Sequence, residues 1–332
     1  MSATPIRWGI LGTGNIADKL ARAVETDSDS TLIACASRTE GKAEAFAEGR
    51  GIEAHSDYES LLRRDDIDVV YIANTHNFHA ECTRLALEYD KPVLLEKPFT
   101  VNAAEAKALV DLARERNLFL MEAIWTRYLP AVQALKQSIQ SGSIGHFKHA
   151  TISFGGFAPP QYLPRLVDPA LAGGVTLDMG IYPISLLCYL IGERPSEIQA
   201  QCQLNEAGVD ELAAYHFRFP CGTTASVSTS FCLKMKQEAM LYGSEAFIEY
   251  PNFQSGPSFR LNRHKGGPEV LETEEYQFEQ DDNGFVYQVA EVVRCLRAGR
   301  LESDRISWQE SVEIIAVMDE IRAQAGVKYP FE

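Results

Sequence analysis

The feature that most constrains how this chain can fold is a glycine-rich stretch near the N-terminus, Gly12-Thr13-Gly14-Asn15-Ile16-Ala17. It follows a short apolar run typical of a β-strand and opens a stretch with the period of an α-helix. The first glycine permits a tight turn, the second allows a pyrophosphate to approach the backbone, and the alanine allows close helix–strand packing. N–H groups at the helix N-terminus can bind phosphates. The pattern predicts a dinucleotide site at residues 12–16, with a plain glycine turn as the alternative.

Short β-branched runs alternate with amphipathic helical stretches up to about Trp125, which is typical of βαβ units and a parallel sheet. The predicted strands are residues 7–11, 32–37, 52–54, 69–74, 93–96 and 118–122. The predicted helices are residues 16–25, 39–48, 79–88 and 103–116. The sequence therefore predicts an α/β protein with an N-terminal Rossmann-type parallel sheet domain, residues 1–124.

The pattern changes beyond a predicted helix that ends near Ser141. Longer alternating runs predict antiparallel strands with one covered face, at residues 148–157, 197–204, 212–219, 223–233 and 238–250. A helix at 285–298 and one that begins at Ser307, in a capping box with Glu310, close the chain. Since 332 residues exceed what one core usually supports, we predict a second, α+β domain, residues 125–332, with a mostly antiparallel open sheet for substrate binding and dimerisation.

Charge and cysteine usage restrict the class of partner and compartment. The net charge of −15 and a pI near 5.0 disfavour nucleic acid and anionic membrane surfaces. The seven cysteines contain no C-x-x-C pair and are interpreted as reduced core thiols, so we expect a cytoplasmic protein. No export signal or membrane span is predicted. No metal site is predicted either, because His146 and His149 lack further ligands at suitable spacing.

The residues after the second predicted strand concern the choice of cofactor. An acid at this place would bind the adenosine ribose of NAD, but the sequence has Ser37-Arg38, with Lys42 one turn later. A guanidinium can stack on adenine and pair with a 2′-phosphate. The sequence therefore favours NADP(H), while Glu40 nearby leaves NAD(H) as an alternative and a solvated basic loop is the structural alternative.

Polar residues also follow the next three predicted strands, where ligands of open parallel sheets lie. We predict that they line one crevice and contact the cofactor: Asn74, Thr75, Asn77 and His79, then Glu96 and Lys97, then Trp125 and Arg127. His79 could instead be a helix cap, and Arg127 an ion pair between domains. An aromatic face beside a bidentate donor suits hydroxyl-rich ligands, so Trp125 is also a predicted substrate contact, with Arg165 a weaker one.

These motifs resemble the Gfo/Idh/MocA oxidoreductase family over nearly the whole chain, through Gly12–Ala17, Glu96-Lys97-Pro98, Ala172-Gly173-Gly174 and Asp178-x-Gly180-x-Tyr182. The stretch from Glu122 to Arg127 and Tyr182 are most similar to its dimeric dihydrodiol dehydrogenase and NADP-dependent D-xylose dehydrogenase branch. The resemblance implies that Lys97 reaches the substrate hydroxyl beside the nicotinamide. An ammonium there stabilises developing alkoxide charge, and burial lowers its pKa toward a value useful for proton transfer.

Tyr182 stands where much of this family has histidine. We therefore predict Tyr182, with Lys97 close by, as the proton relay, since an adjacent ammonium favours the phenolate. Asp178 lies four residues earlier, so both side chains should share one face of a predicted helix. The resemblance assigns Lys97, Asp178 and Tyr182 to catalysis and substrate binding; a core tyrosine is the alternative for Tyr182.

The predicted reaction is reversible: a secondary alcohol of a small sugar or trans-diol and NADP+ give the carbonyl compound, NADPH and a proton. Two other functions are kept open. One is a lyase or hydrolase that uses tightly bound NAD(H) for transient oxidation, and the other is a regulatory protein that senses NADP(H). The exposed face of the second domain's sheet predicts a homodimer, as related proteins pair through such a face.

Overall fold

The computed structural model describes residues 4–264, 266–267 and 269–332. The first of its two sheets has six parallel strands, β1 Ile6–Leu11, β2 Ser30–Ala36, β3 Glu53–His55, β4 Val69–Ile72, β5 Val93–Glu96 and β6 Leu120–Ala123. Their order is β3-β2-β1-β4-β5-β6. The order reverses between β1 and β4, which is the switch point where dinucleotides bind in Rossmann folds. The predicted Rossmann-type sheet is confirmed, with strand ends shifted by a few residues.

Five helices accompany this sheet: α1 Asn15–Thr26, α2 Lys42–Ala47, α3 Tyr58–Leu62, α4 His79–Glu88 and α5 Ala103–Arg116. Helices α4 and α5 have the predicted bounds. The Asn102 side chain caps α5 by accepting the Glu105 N–H at 3.0 Å. Helix α3 was not predicted, because five residues are too few to display a helical period.

The second sheet has eight strands, β7 Phe147–Gly155, β8 Glu197–Leu204, β9 Asp210–Arg218, β10 Thr224–Ser230, β11 Glu238–Gly243, β12 Ala246–Pro251, β13 Ser258–Arg263 and β14 Glu272–Gln277. Their order is β14-β13-β12-β11-β7-β10-β9-β8. Every pair is antiparallel except β7 with β10. The predicted mostly antiparallel sheet is therefore confirmed.

Two details of this sheet differ from the prediction. The run 238–250 forms two strands, because the chain turns at Ser244 and Glu245 between β11 and β12. Strands β13 and β14 were missed. The edge strand β14 has the sequence ETEEYQ, and such charged edge strands lack the apolar alternation of a covered strand.

Helices α6 Pro130–Gln140, α7 Leu163–Leu166 and α8 Ile181–Ile191 belong to the same part of the chain as the second sheet. The helix predicted to run from Gly173 begins as a π-helical turn, Thr176–Gly180, before α8. Pro183 explains this, because it lacks an N–H and its ring would clash with the carbonyl of Met179 in an ideal α-helix. One helical stretch, Pro169–Ile191, is long and apolar enough to span a membrane, contrary to expectation, but most of it is buried, as in the core helix of a soluble protein.

Helices α9 Phe285–Arg297 and α10 Trp308–Ala325 complete the fold. Contacts group residues 4–125 with Asp281–Ile315 as one unit, and Thr126–Gln280 with Ala316–Glu332 as the other. The first boundary lies one residue from the predicted division at 124 and 125, but the return of residues 281–315 was not predicted. It occurs because α9 packs on α1 and the Trp308 indole donates to the Leu120 carbonyl at 2.8 Å.

The predicted capping box of α10 is present: Glu310 N–H lies 3.2 Å from Ser307 Oγ, and Ser307 N–H 3.1 Å from Glu310 Oε2. The seven cysteines are free, and four of them are buried. Cys221 is exposed in the turn between β9 and β10, so the prediction that it lies in the core is wrong.

Candidate active site

The glycine turn after β1 has the geometry that a dinucleotide requires. Gly12 has a φ of +91°, and a Cβ there would lie 2.5 Å from Asn74 Oδ1 and 2.9 Å from the Ala73 carbonyl oxygen. At Gly14 a Cβ would meet no described atom within 4 Å. This open space lies at the start of α1, where the N-cap residue, Gly14, has no side chain that could cap the helix. These residues therefore fit a pyrophosphate, which would accept hydrogen bonds from the backbone N–H groups.

The other predicted residues of this turn flank the same space. Asn15 and Ile16 are exposed at the start of α1. The Thr13 hydroxyl is buried and has no hydrogen-bond partner in the described part of the chain. A buried polar atom without a partner is uncommon, so Thr13 is a further candidate for an interaction that the protein alone does not complete.

The basic residues after β2 lie at the same edge of the sheet. The Arg38 guanidinium stacks 4.2 Å from the Phe78 ring centroid and 5.2 Å from that of Tyr58, and it lies 3.7 Å from a Glu81 carboxylate oxygen. Ser37 is buried, with its hydroxyl accepting the Thr39 N–H at 3.2 Å. Lys42 is exposed as the first residue of α2. A partly exposed guanidinium held against aromatic rings remains able to bind a phosphate or stack on a base.

The loop after β4 is tied to the loop after β5 by His79. This imidazole is fully buried, with Nδ1 2.8 Å from the Pro98 carbonyl oxygen and Nε2 3.2 Å from that of Asn74. Its ring nitrogens therefore engage backbone, so His79 joins the two loops and is not a surface cap. Within the β4 loop, the Thr75 hydroxyl donates to Asn77 Oδ1 at 2.7 Å, and Asn74 Nδ2 lies 2.8 Å from Cys82 Sγ.

Glu96 lies buried beside Lys97 at the end of β5. Its carboxylate accepts the Tyr71 hydroxyl and, at 3.0 Å, the Lys97 N–H. Burial raises the pKa of Glu96, opposed by the Tyr71 hydrogen bond and by the charge of Lys97. The Lys97–Pro98 peptide bond is cis. Lys97 is only partly buried, whereas Glu96 is 4% exposed.

Lys19 and Phe285 were not predicted but contact Trp125. The Lys19 ammonium lies 4.5 Å from the Trp125 ring centroid and 4.4 Å from that of Phe285. Burial lowers the pKa of Lys19, opposed by the charge of Glu96. Lys19 lies one helical turn after Asn15 in α1, and this spacing was the only feature of the sequence that could have placed Lys19 near the site. Trp125 itself is 8% exposed, so most of its ring is used in this packing.

Arg127 belongs to the other unit and is almost fully buried there. Its Nε donates to the Ser185 hydroxyl at 2.9 Å and Nη2 to the Ser185 carbonyl at 3.2 Å. The guanidinium also lies 5.0 Å from the Tyr189 ring centroid. These contacts hold α8, so they give Arg127 a role in the core of this unit.

A pocket of about 230 Å³ in the second unit contains two of the predicted substrate residues. Arg165 and Asp178 form an ion pair across 3.1 Å, with 30% and 18% of their side chains exposed. Around them lie apolar and aromatic side chains, namely Phe154, Phe157, Pro159, Tyr162, Met179 and Phe231. The mutually neutralised ion pair and the aromatic walls suit a neutral, hydroxylated ring.

Tyr182 adjoins this pocket through Phe154, a residue that was not predicted to belong to the site. The two rings pack edge to face with centroids 5.9 Å apart, and Tyr182 is 7% exposed. Phe154 carries no sequence signal of function, because it continues the apolar alternation of β7. The structure thus brings Asp178, Arg165 and Tyr182 to one part of the second unit. Among the described residues, no group of three or more His, Cys, Asp or Glu side chains could hold a metal ion.

Comparisons with known proteins identify the family to which this chain belongs. Residues 6–124 match the model of the oxidoreductase family with an NAD-binding Rossmann fold, and residues 132–249 match the GFO/IDH/MocA C-terminal domain. A trans-1,2-dihydrobenzene-1,2-diol dehydrogenase of Mus musculus is 33% identical over 331 residues, covering 98% of both chains. Another of Xenopus laevis is 32% identical over 329 residues, covering 98% of this chain and 99% of the relative.

Solved structures give the same result. KijD10, a 3-ketoreductase from Actinomadura kijaniata in complex with NADP and TDP-benzene, is similar with a TM-score of 0.86 and 25% identity. The similarity covers 97% of this chain and 98% of that one. Since the two family models match residues 6–124 and 132–249, and relatives 32–33% identical cover 98% of this chain, the chain belongs to the GFO/IDH/MocA oxidoreductase family.

Proposed function

We propose that the protein is an NADP(H)-dependent oxidoreductase that transfers hydride between nicotinamide and a secondary alcohol or carbonyl carbon of a small sugar or trans-diol. The observation that carries the proposal is the open glycine turn at the carboxyl edge of the parallel sheet, with Lys97 after β5 at the same edge. Relatives named as trans-diol dehydrogenases over nearly the full length support the reaction class.

The preference for NADP(H) rests on the residues after β2. Arg38 is held by Phe78 and Tyr58 with part of its guanidinium exposed, and Ser37 and Lys42 lie on either side of it in the sequence. A 2′-phosphate would pair with the cationic Arg38 and Lys42, whereas the uncharged ribose hydroxyl of NAD would form no ion pair with them. KijD10, whose structure contains NADP, is consistent with this preference.

The proposed catalytic residues are Lys97, Tyr182 and Asp178. When bound, the nicotinamide ring supplies the acceptor or donor of hydride. In the oxidation direction, the carbinol C–H electron pair leaves as hydride, the O–H bond breaks and a C=O bond forms. The Lys97 ammonium stabilises the developing negative charge on the oxygen, and the Tyr182 phenolate takes the proton and passes it to solvent. Asp178, paired with Arg165, accepts a hydrogen bond from a second hydroxyl of the substrate.

The remaining predicted contacts are assigned in the same way. Arg165 orients the hydroxylated part of the substrate, and Trp125 forms an apolar wall. The glycine turn with Thr13, Asn15 and Ile16 binds the pyrophosphate. The other residues proposed to bind the cofactor are Asn74, Thr75, Asn77, His79, Glu96 and Arg127. Because His79 is hydrogen-bonded to backbone carbonyls and Arg127 to Ser185, these two are proposed to act indirectly.

The test is a substrate screen with absorbance at the NADPH band. Pentoses, hexoses, inositols, trans-dihydrodiols and dicarbonyls are each incubated with the matching cofactor form, and carbonyl product is quantified against NADPH. We expect equal amounts of both from at least one substrate class. Product formed without net NADPH would favour the transient-oxidation lyase or hydrolase, and tight cofactor binding without any turnover would favour the sensor.

A homodimer and a cytoplasmic location complete the proposal. A row of rings lies on the side of the sheet opposite the buried Ala150 and Ile152. It is formed by His149 of β7, Tyr242 of β11, Phe247 of β12 and His264 directly after β13. Their centroids are 6.2, 6.2 and 6.4 Å apart. All four residues are half-buried in the single chain, and such a partly exposed aromatic row supports self-association. The free cysteines are compatible with a reducing compartment.

A further inference from the structure

The segment Gly173–Gly180 connects the pocket to the core of the second unit. It carries Asp178 in the π-helical turn and leads into α8 with Tyr182. Because the pocket depends on where this short segment lies, the groups that hold it are as important as those that line the pocket.

Asp210, the first residue of β9, holds the start of the π-helical turn. The carboxylate is 1% exposed, and its Oδ2 accepts both the Thr176 N–H at 2.8 Å and the Thr176 hydroxyl. The Thr176 hydroxyl oxygen is also 2.7 Å from the Tyr215 hydroxyl, which lies 3.2 Å from that of Thr229. A chain of buried polar groups thus joins the turn to β9 and β10.

The glycines of the segment fit around this chain of groups. Gly174 has a φ of +118°, and a Cβ there would overlap Asp210 Oδ1. A Cβ at Gly180 would lie 2.9 Å from the Tyr215 hydroxyl oxygen. The turn therefore rests on β9 side chains at both ends, through Thr176 and through Gly180. This explains Gly174, whereas Gly173 is required by another contact, because a Cβ there would lie 2.5 Å from the Leu166 carbonyl oxygen.

We propose that Asp210 is a positioning residue, which through Thr176 fixes the π-helical turn and thereby the reactive placement of Asp178 and Tyr182. The inference rests on the proposed function, because it assumes that these two side chains act on the substrate. A displacement of about 1 Å of a reacting group can reduce turnover about 100-fold. Asp210 itself touches neither substrate nor cofactor.

The network needs an acceptor oxygen at Asp210 and a hydroxyl at Thr176. Asp210→Ala removes the acceptor, whereas Asp210→Asn can keep a carbonyl oxygen toward Thr176. Likewise Thr176→Val removes the hydroxyl at nearly constant shape, whereas Thr176→Ser keeps it. The matched control is Glu211→Gln, the next residue of β9, whose carboxylate accepts from Gln203 Nε2 at 2.9 Å.

The experiment measures kcat, KM and the NADPH dissociation constant of each variant, with circular dichroism as the folding check. We expect kcat to fall about 100-fold in Asp210→Ala, and also to fall in Thr176→Val, with the NADPH dissociation constant at the wild-type value. Asp210→Asn and Thr176→Ser should keep most of the wild-type kcat, and Glu211→Gln should have the wild-type kcat. The losses of Asp210→Ala and Thr176→Val should be less than additive in the double variant, because Thr176→Val removes one of the two hydrogen bonds that Asp210→Ala removes. If Asp210→Ala does not fold, the kcat of Thr176→Val compared with that of Thr176→Ser tests the proposal.

Two variants measured in parallel separate this inference from the proposed function. Wild-type kcat in both Asp178→Asn and Tyr182→Phe would contradict the catalytic roles. A reduced kcat in those two, with wild-type kcat in the folded Asp210→Ala and Thr176→Val, would overturn the inference alone. So would a loss in Thr176→Val that Thr176→Ser does not recover.

Discussion

Lys97 is the residue on which the proposed chemistry depends most. Its backbone N–H is fixed by Glu96 at 3.0 Å, while its side chain is only partly buried at the edge of the sheet. We predict that Lys97→Ala lowers kcat by about 100- to 10,000-fold, the usual contribution of a positioned acid–base group. The NADPH dissociation constant should change little. Steady-state kinetics and calorimetry measure the two, with the exposed Lys107→Ala as control, and unchanged kcat would contradict the assigned role.

Glu96 gives a prediction about pH. Burial raises its pKa above the ordinary value of 4.5, so the folded state binds this proton more tightly than the unfolded chain. Its contribution to the free energy of unfolding is therefore full below pH 4.5 and declines as the pH rises through the folded pKa.

Glu96→Gln cannot titrate, so the wild-type advantage over this variant should shrink with rising pH, by at most about 1.4 kcal/mol per pH unit. Urea unfolding of both proteins at stepwise pH measures this difference. Glu115→Gln, at an exposed position on α5, is the control. A pH-independent difference for Glu96→Gln would show that burial does not shift this group.

At the residue scale, the sequence predicted positions that a motif fixes and missed those that packing fixes. Gly12 was predictable because its positive φ and its closeness to Asn74 require glycine. Lys19 was not, because its ring contacts come from Trp125 and Phe285, far apart in sequence. Arg127 shows the opposite difficulty, since nothing in its motif indicates that Ser185 will bind its guanidinium.

At the scale of elements, the alternation of short apolar runs with helical stretches predicted all six strands of the first sheet, five of which are mostly buried, while β3 is short and partly exposed. The prediction failed where a proline or a charge interrupted the pattern. The expected helical face shared by Asp178 and Tyr182 is altered by the π-helical turn Thr176–Gly180, which four-residue spacing cannot reveal. The edge strand β14 was hidden by its glutamates.

Glu122 connects three elements and provides a stability prediction at this scale. Its carboxylate, almost fully buried at β6, accepts the Phe99 N–H at 2.9 Å and the Ser311 hydroxyl of α10 at 2.8 Å. Glu122→Ala leaves these donors without that acceptor, so we expect the free energy of unfolding to fall by about 1–3 kcal/mol for each buried donor. Chemical unfolding measures the loss, and Glu115→Ala on exposed α5 is the control. A loss no larger than that of the control would contradict this role.

At the scale of the whole molecule, the order of domains was predictable but the return of the chain was not. The sequence of residues 281–315 predicts helices at the end of the second domain. Only the packing of α9 on α1 shows that these residues belong to the first unit. A sequence pattern reports which faces are apolar, not which of two domains will cover them.

The predicted homodimer is tested on the row of rings of the second sheet. In a two-fold symmetric interface both subunits carry the substitution. Tyr242→Asp should therefore place two carboxylates in an apolar contact and convert dimers to monomers. Size-exclusion chromatography with light scattering gives the mass, against 36.9 kDa for one chain. Lys107→Asp, at an exposed site on α5, should leave the mass of the dimer unchanged. A monomeric wild type would contradict the homodimer.

The central claim is that the first unit binds NADP(H) at its glycine turn, with Arg38 at the 2′-phosphate. Isothermal titration calorimetry of wild type and Arg38→Ala with NADPH and NADH tests it most directly. We predict saturable one-site binding of NADPH to wild type, weaker binding of NADH, and a smaller difference between the two in Arg38→Ala. No binding heat from either coenzyme, across temperatures at which the protein is folded, would contradict the account.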